Sequence, residues 1–297
     1  MEKYSFMATI SNNELSVSIK NSGAELTSIS DKKSGIDYLW KGEASIWGRQ
    51  SPVLFPIVGR LKDNNYTSGG KNFSLPQHGF ARDMDFKVVQ SDNDKVVLSL
   101  VYTEETLLKY PYKFELQISY ILTGRKLTTK YKVISLQDEK LYFSIGAHPG
   151  FTCPLSENEK YEDYYLEFSK PETLELHVLD GGLISTNTIP YLKEETKIPL
   201  SYELFKNDAL VFKNYKSDFI SLKHKTKGEV FKFHFAGYPF LGIWSKPGPF
   251  VCIEPWYGIA DFTNHNSVLE EKTGIRSLAK NETFECEWAV EIMNVEL

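Results

Sequence analysis

Hydrophobic and polar positions alternate along much of this chain. Between Lys113 and Leu122, the residues Phe114, Leu116, Ile118, Tyr120 and Leu122 make one wholly apolar parity, and the positions between them are mostly polar. Side chains alternate faces along a pleat, so the pattern predicts a half-buried β-strand. Residues 126–133 repeat it after Thr123-Gly124-Arg125, which predicts a hairpin. Further strands are expected at 14–20, 86–91, 95–103, 141–145, 163–168, 219–223, 229–235, 250–254 and 284–293, many of them rich in Val, Ile, Thr, Phe and Tyr. Helical signal is confined to 104–109 and 202–206, enough for a turn or two each. Many short strands with turn signals between them predict an all-β protein, an antiparallel sandwich or barrel. An α/β fold would need amphipathic stretches of about ten residues between strands. The turn-rich run Asn64 to Asn72 suits a loop or a hairpin, and no linker or repeat divides the chain, so 1–297 reads as one domain.

Composition adds exclusions. A chain of 297 residues with 41% hydrophobic and 25% charged content is globular in type and long enough to bury a large core. Its net charge of −5 is spread over interspersed Lys, Arg, Asp and Glu, with no basic block, so neither nucleic acid nor an anionic membrane is an expected partner. The three cysteines, Cys153, Cys252 and Cys286, are far apart and form no CxxC pair, as expected of reduced thiols in a cytoplasmic protein. The run Met1-Glu2-Lys3-Tyr4-Ser5-Phe6 has no apolar segment behind its charges, and no stretch approaches the roughly 18 apolar residues of a membrane span.

Three segments carry potential chemistry. In Gln77-His78-Gly79-Phe80-Ala81-Arg82, a His beside Gly can approach a ligand closely and Arg82 adds a cation. The bland reading is a turn His bonded to backbone and an Arg in a salt bridge. In Gly146-Ala147-His148-Pro149-Gly150, an apolar strand runs into a His held extended by the following Pro. His is the side chain suited to moving protons near neutral pH, though a strand-end His can equally be satisfied by a carbonyl. In Cys252-Ile253-Glu254-Pro255-Trp256, a carboxylate follows a buried-strand pattern, and a buried carboxylate needs a partner or a raised pKa. A structural ion pair would serve as well as a catalytic one. The other histidines, His177, His224, His234 and His265, read as structural. No HExxH, Cys/His cluster, GxSxG, P-loop or GxGxxG is present, so neither metal nor organic cofactor is expected.

Taken together with Pro52 to Arg60, these runs in this order resemble the aldose 1-epimerase (galactose mutarotase) family, in its LacX-type bacterial branch. The resemblance covers about residue 5 to 295. It implies a large β-supersandwich with an open sugar-binding cleft, and interconversion of the anomers of a hexose without a cofactor. It implies His148 as catalytic acid and Glu254 as catalytic base, with His78 and Arg60 binding the sugar. Trp256 is expected to stack on the sugar, and Arg82 and Lys246 to contact it, above all if the substrate is phosphorylated. The family's additional sugar-gripping Asp has no evident match; 242–247 is the stretch expected to replace it. A hexose-6-phosphate mutarotase and a non-catalytic sugar-binding protein are the alternatives. A glycoside hydrolase would need a second carboxylate, for which Asp261 is the nearby choice. A monomer or loose homodimer is expected.

Overall fold

The computed structural model describes residues 7–294; the leader reading of Met1 to Phe6 lies outside them. The chain folds into antiparallel sheets stacked around a common core, the sandwich that the alternation predicts. The larger sheet has nine strands, in the spatial order Leu183–Pro199, Tyr164–Asp180, Phe219–His224, Gly228–His234, Thr283–Ile292, Lys126–Ser135, Phe114–Thr123, Lys95–Val101 and Lys87–Ser91. A six-stranded sheet follows the order Leu210–Lys213, Phe240–Trp244, Phe250–Tyr257, Ile145–Ala147, Val53–Leu54, and Gly150–Thr152 also pairs with Phe250–Tyr257. Met7–Ser11, Leu15–Lys20 and Leu26–Asp31 form a separate three-stranded sheet.

Strand parity builds the core. Phe114, Leu116, Ile118 and Tyr120 of the large sheet are buried with Val251 and Ile253 of the smaller one in a hydrophobic cluster that draws on residues from Ala8 to Ile292. Phe151 joins the two sheets directly, its ring centroid 4.5 Å from that of Phe231. The side chains of Phe250–Tyr257 that face away from this core are Phe250, Cys252, Glu254 and Trp256, all buried. Three of them are apolar and enter two smaller clusters on the outer face of the six-stranded sheet, which leaves Glu254 as the ionisable carboxyl among them.

Most expected strands are present within a residue or two. The 104–109 segment is a helix, Glu104–Lys109, capped by Thr103, whose side chain accepts the Thr106 N–H. The 202–206 segment is a single 3₁₀ turn, and Asn64 to Asn72 is a hairpin turning at Gly69 and Gly70. Two segments differ from expectation. The strand expected to end at 168 continues to Asp180 and pairs with Leu183–Pro199, a partner without a clean period-2 pattern. Register shifts between Glu167 and Leu179 explain this, because each bulge moves the apolar positions to the opposite parity. The strand expected at 141–145 divides at Ser144, whose N–H leaves both ladders to donate to the Pro56 carbonyl at 2.7 Å.

Candidate active site

The six-stranded sheet carries the site on its outer face. Gly146 pairs with Trp256 and Gly150 with Cys252, both on the strand Phe250–Tyr257. The register is in step on the two sides of the gap, so the residue opposite Glu254 is His148. Pro149 removes a ladder donor there, and the strand opens into two short pieces around the imidazole. The result is a contact of 3.3 Å between His148 Nε2 and Glu254 Oε2, with both side chains buried.

Aromatic residues wall the pair from water. Trp47 stacks on the His148 ring at 4.9 Å between centroids, and Trp244 meets it edge-on at 5.6 Å. Trp256 lies nearly flat on the sheet because its neighbours are glycines. A Cβ on Gly242 would sit 2.4 Å from the indole, and one on Gly146 would sit 2.6 Å away. Above them is a cavity of about 830 Å³, in the range of small-molecule sites. Trp47, Gln77, His78, Arg82, Asp208 and Lys246 line it with the catalytic-type pair, and Leu179 and Ile184 contribute from the long hairpin.

Burial sets the electrostatics. His148 falls to a pKa of about 3, chiefly because its cationic form has no solvation, with Arg82 and Arg49 adding repulsion. Glu254 is pushed well above the usual carboxylate range by the same desolvation and by the negative charge of Asp208, against a smaller opposing pull from the Trp256 indole. Both directions favour a neutral pair that shares one mobile proton. His78 is also pushed down, by burial and then by His148 and the arginines. Its backbone is left-handed at φ 68°, and its Nδ1 accepts the Gly59 N–H at 3.1 Å, so its own proton resides on Nε2. The His78 ring centroid is 5.7 Å from that of His148.

The site residues named from sequence therefore divide. His78, Arg82, His148, Lys246, Glu254 and Trp256 meet in one cavity. Arg60 does not line it: its guanidinium donates to the Gly181 carbonyl at 3.0 Å, at the tip of the long hairpin. Trp256 lies in the cavity floor, 6% exposed, and Lys246 places its ammonium over the Trp244 ring at 5.8 Å. Asp261 is held elsewhere, 2.7 Å from the buried ammonium of Lys272. Trp47 and Asp208 escaped the sequence reading, and Gln77 and Trp244 lie in stretches it singled out without giving them a role. Asp208 is the Asp among the lining residues, on the loop just before Leu210–Lys213. An exposed Asn-Asp before an apolar run reads as an ordinary turn, and nothing local sets it apart. His177, His224, His234 and His265 lie outside the cavity lining.

The site is thus a buried His–Glu contact on the floor of an open, aromatic-walled cleft in a β-sandwich. The chain belongs to the aldose 1-epimerase family, whose profile matches residues 7–275. It is 34% identical to the chromosomal protein LacX of Lactococcus lactis subsp. lactis over 296 residues, covering 96% of this chain and 99% of that one. In fold it superposes on a galactose mutarotase related enzyme from Lactobacillus acidophilus with a TM-score of 0.92, at 34% identity over 98% of this chain and all of that one. A galactose mutarotase-like protein from Lactobacillus casei gives a TM-score of 0.91 at 27% identity, with coverage of 97% of this chain and 100% of that one. Among the described residues no helix is long and apolar enough to cross a membrane.

Proposed function

We propose that the chain interconverts the α and β anomers of a free hexose by acid/base ring opening. The observation that carries this reading is the His148–Glu254 contact at 3.3 Å on the floor of the cavity. Without a sugar, desolvation keeps the mobile proton on Glu254. Sugar hydroxyls supply the solvation the carboxylate lacks, and the proton passes to His148. Glu254 then removes the proton of the C1 hydroxyl while His148 Nε2–H protonates the ring oxygen. The C1–O5 bond breaks with its electron pair going to O5, and C1 becomes an aldehyde. Rotation about C1–C2 and closure on the other face, with both transfers reversed, yields the other anomer and the original protonation state. Positioned acid and base groups contribute about 10²–10⁴-fold each.

In this reading His78 Nε2–H and Arg82 hold the sugar oxygens, and Asp208 accepts from its hydroxyls. Arg82 takes the cationic role expected of Arg60: both guanidiniums donate to carbonyls, Arg82 to Gln77 and Arg60 to Gly181, but Arg82 lines the cavity and Arg60 does not. Asp261, the second carboxylate weighed for a glycoside hydrolase, is bound to Lys272 and lies outside the cavity lining.

Polarimetry on fresh α-D-galactose and α-D-glucose tests the proposal, with saturation-transfer NMR for glucose 6-phosphate. The expected result is acceleration of a free sugar that falls by at least about 10³-fold in Glu254→Gln and in His148→Asn. Acceleration of the phosphorylated sugar alone would replace the free hexose by its phosphate. Sugar binding without acceleration would make the protein a non-catalytic binder.

A further inference from the structure

The reaction proposed above uses two of three donor groups clustered at and beneath the cavity floor. The third is Cys252, two residues before Glu254 on the same face of the same strand and fully buried. Its Sγ, a ring nitrogen of His148 and a carboxylate oxygen of Glu254 all lie within 4.8 Å of one another. Tetrahedral zinc with bonds of about 2.0–2.3 Å holds its ligands roughly 3.3–3.8 Å apart. The His148–Glu254 separation is already 3.3 Å, so the set closes on a cation with a shift of about 1 Å at the sulfur.

We propose that His148, Cys252 and Glu254 form a binding site for a thiophilic divalent cation of the zinc type, and that its occupation blocks the acid/base pair. The donor set is a nitrogen, a sulfur and a carboxylate oxygen, the chemistry zinc takes and magnesium or calcium does not. Three protein ligands leave the fourth position facing the cavity, where water or a sugar hydroxyl can bind. Charge balance favours the complex. One dication, one thiolate and one carboxylate sum to zero, so no net charge is buried. Binding expels two protons whichever partner of the pair holds the mobile one. Cys252 loses its thiol proton, the pair loses its shared proton, and His148 coordinates through Nε2 while retaining Nδ1–H. With the Nε2 lone pair and the carboxylate both committed to the metal, neither can exchange a proton with sugar.

No linear motif announces this site, because Cys252 and Glu254 share one strand but His148, about a hundred residues earlier, meets them only through sheet register. Metal binding rests on the geometry alone; the blocking effect rests on the proposed mutarotase activity, and the measurements separate the two. Titration of the reduced protein with Co²⁺ is expected to give a thiolate-to-metal charge-transfer band saturating at one ion per chain. Calorimetry with Zn²⁺ in buffers of different ionisation enthalpy is expected to report two protons released. Cys252→Ala and Cys252→Ser should both lose the band, and Zn²⁺ affinity should fall by at least about 100-fold. In the polarimetric assay Zn²⁺ should suppress turnover and a chelator restore it, while Cys252→Ala turns over normally and resists Zn²⁺. Absence of the band in the parent protein, or its persistence in both variants, would overturn the site. Stoichiometric binding that leaves turnover unchanged would overturn the blocking role. A parent protein with no turnover on any sugar leaves the Co²⁺ and calorimetric results to decide the site by themselves.

Discussion

Glu254 is kept protonated by its surroundings, and this has opposite consequences for stability and for chemistry. Its folded pKa lies well above 4.5, so above that pH the unfolded chain releases a proton that the native chain retains. Stability is therefore lost as pH rises from the ordinary carboxylate range through the folded value. His148 acts on the other side: its pKa falls from 6.5 to about 3, so stability is lost as pH falls through that window. Glu254→Gln keeps the shape and removes the ionisation. We expect it to raise the thermal midpoint by several degrees at pH 8 while abolishing turnover, as scanning calorimetry beside polarimetry will show. An unchanged or lower midpoint would mean that the carboxylate is paired in the native state. The same shifts shape the pH–rate profile. One mobile proton is retained between the His148 value of about 3 and the raised Glu254 value. The kcat/KM profile should show no acid-side limb at the usual His value of 6.5. A limb near that value would show that His148 titrates like a solvated imidazole.

At the scale of elements, the strand Phe250–Tyr257 organises the site, and its neighbours are shaped to it. Gly242 and Gly146 flank it so that the Trp256 indole can lie against the sheet. Gly242→Ala places a methyl group into that ring. It is expected to destabilise the fold by about 1–3 kcal/mol through overpacking and to lower kcat by displacing the floor beneath Glu254; denaturant titration and initial rates check this. Loss of neither would mean that the indole moves aside freely. Much of this element was legible beforehand. An apolar run into Glu254 signalled a buried carboxylate, and Pro149 after His148 signalled a strand end. The contact between the two residues was not legible, since it depends on the register of strands about a hundred residues apart. Trp47 and Asp208 were hidden for the same reason, as their loops reach the cavity only in the folded chain, and Trp244 reaches it from the end of the strand Phe240–Trp244. The long hairpin was hidden because its bulges erase the alternation.

Across the whole molecule, the nine-stranded sheet consists of two blocks. Lys87–Ser91 through Lys126–Ser135 form one, and Tyr164–Asp180 through Gly228–His234 form the other. They meet only through Thr283–Ile292, which pairs with Lys126–Ser135 on one side and Gly228–His234 on the other. Every other strand of that sheet precedes it in the chain. On the ribosome, each block must therefore wait with an open inner edge, both edges apolar on the core face, until this late segment emerges. A chain stopped at Glu282 should hold all the lining residues of the cavity and still collect in inclusion bodies, and separate supply of a 283–294 peptide during refolding should return part of it to solution. The keystone of this arch is the last of its stones in chain order, so neither block can close until residues 283–292 have emerged.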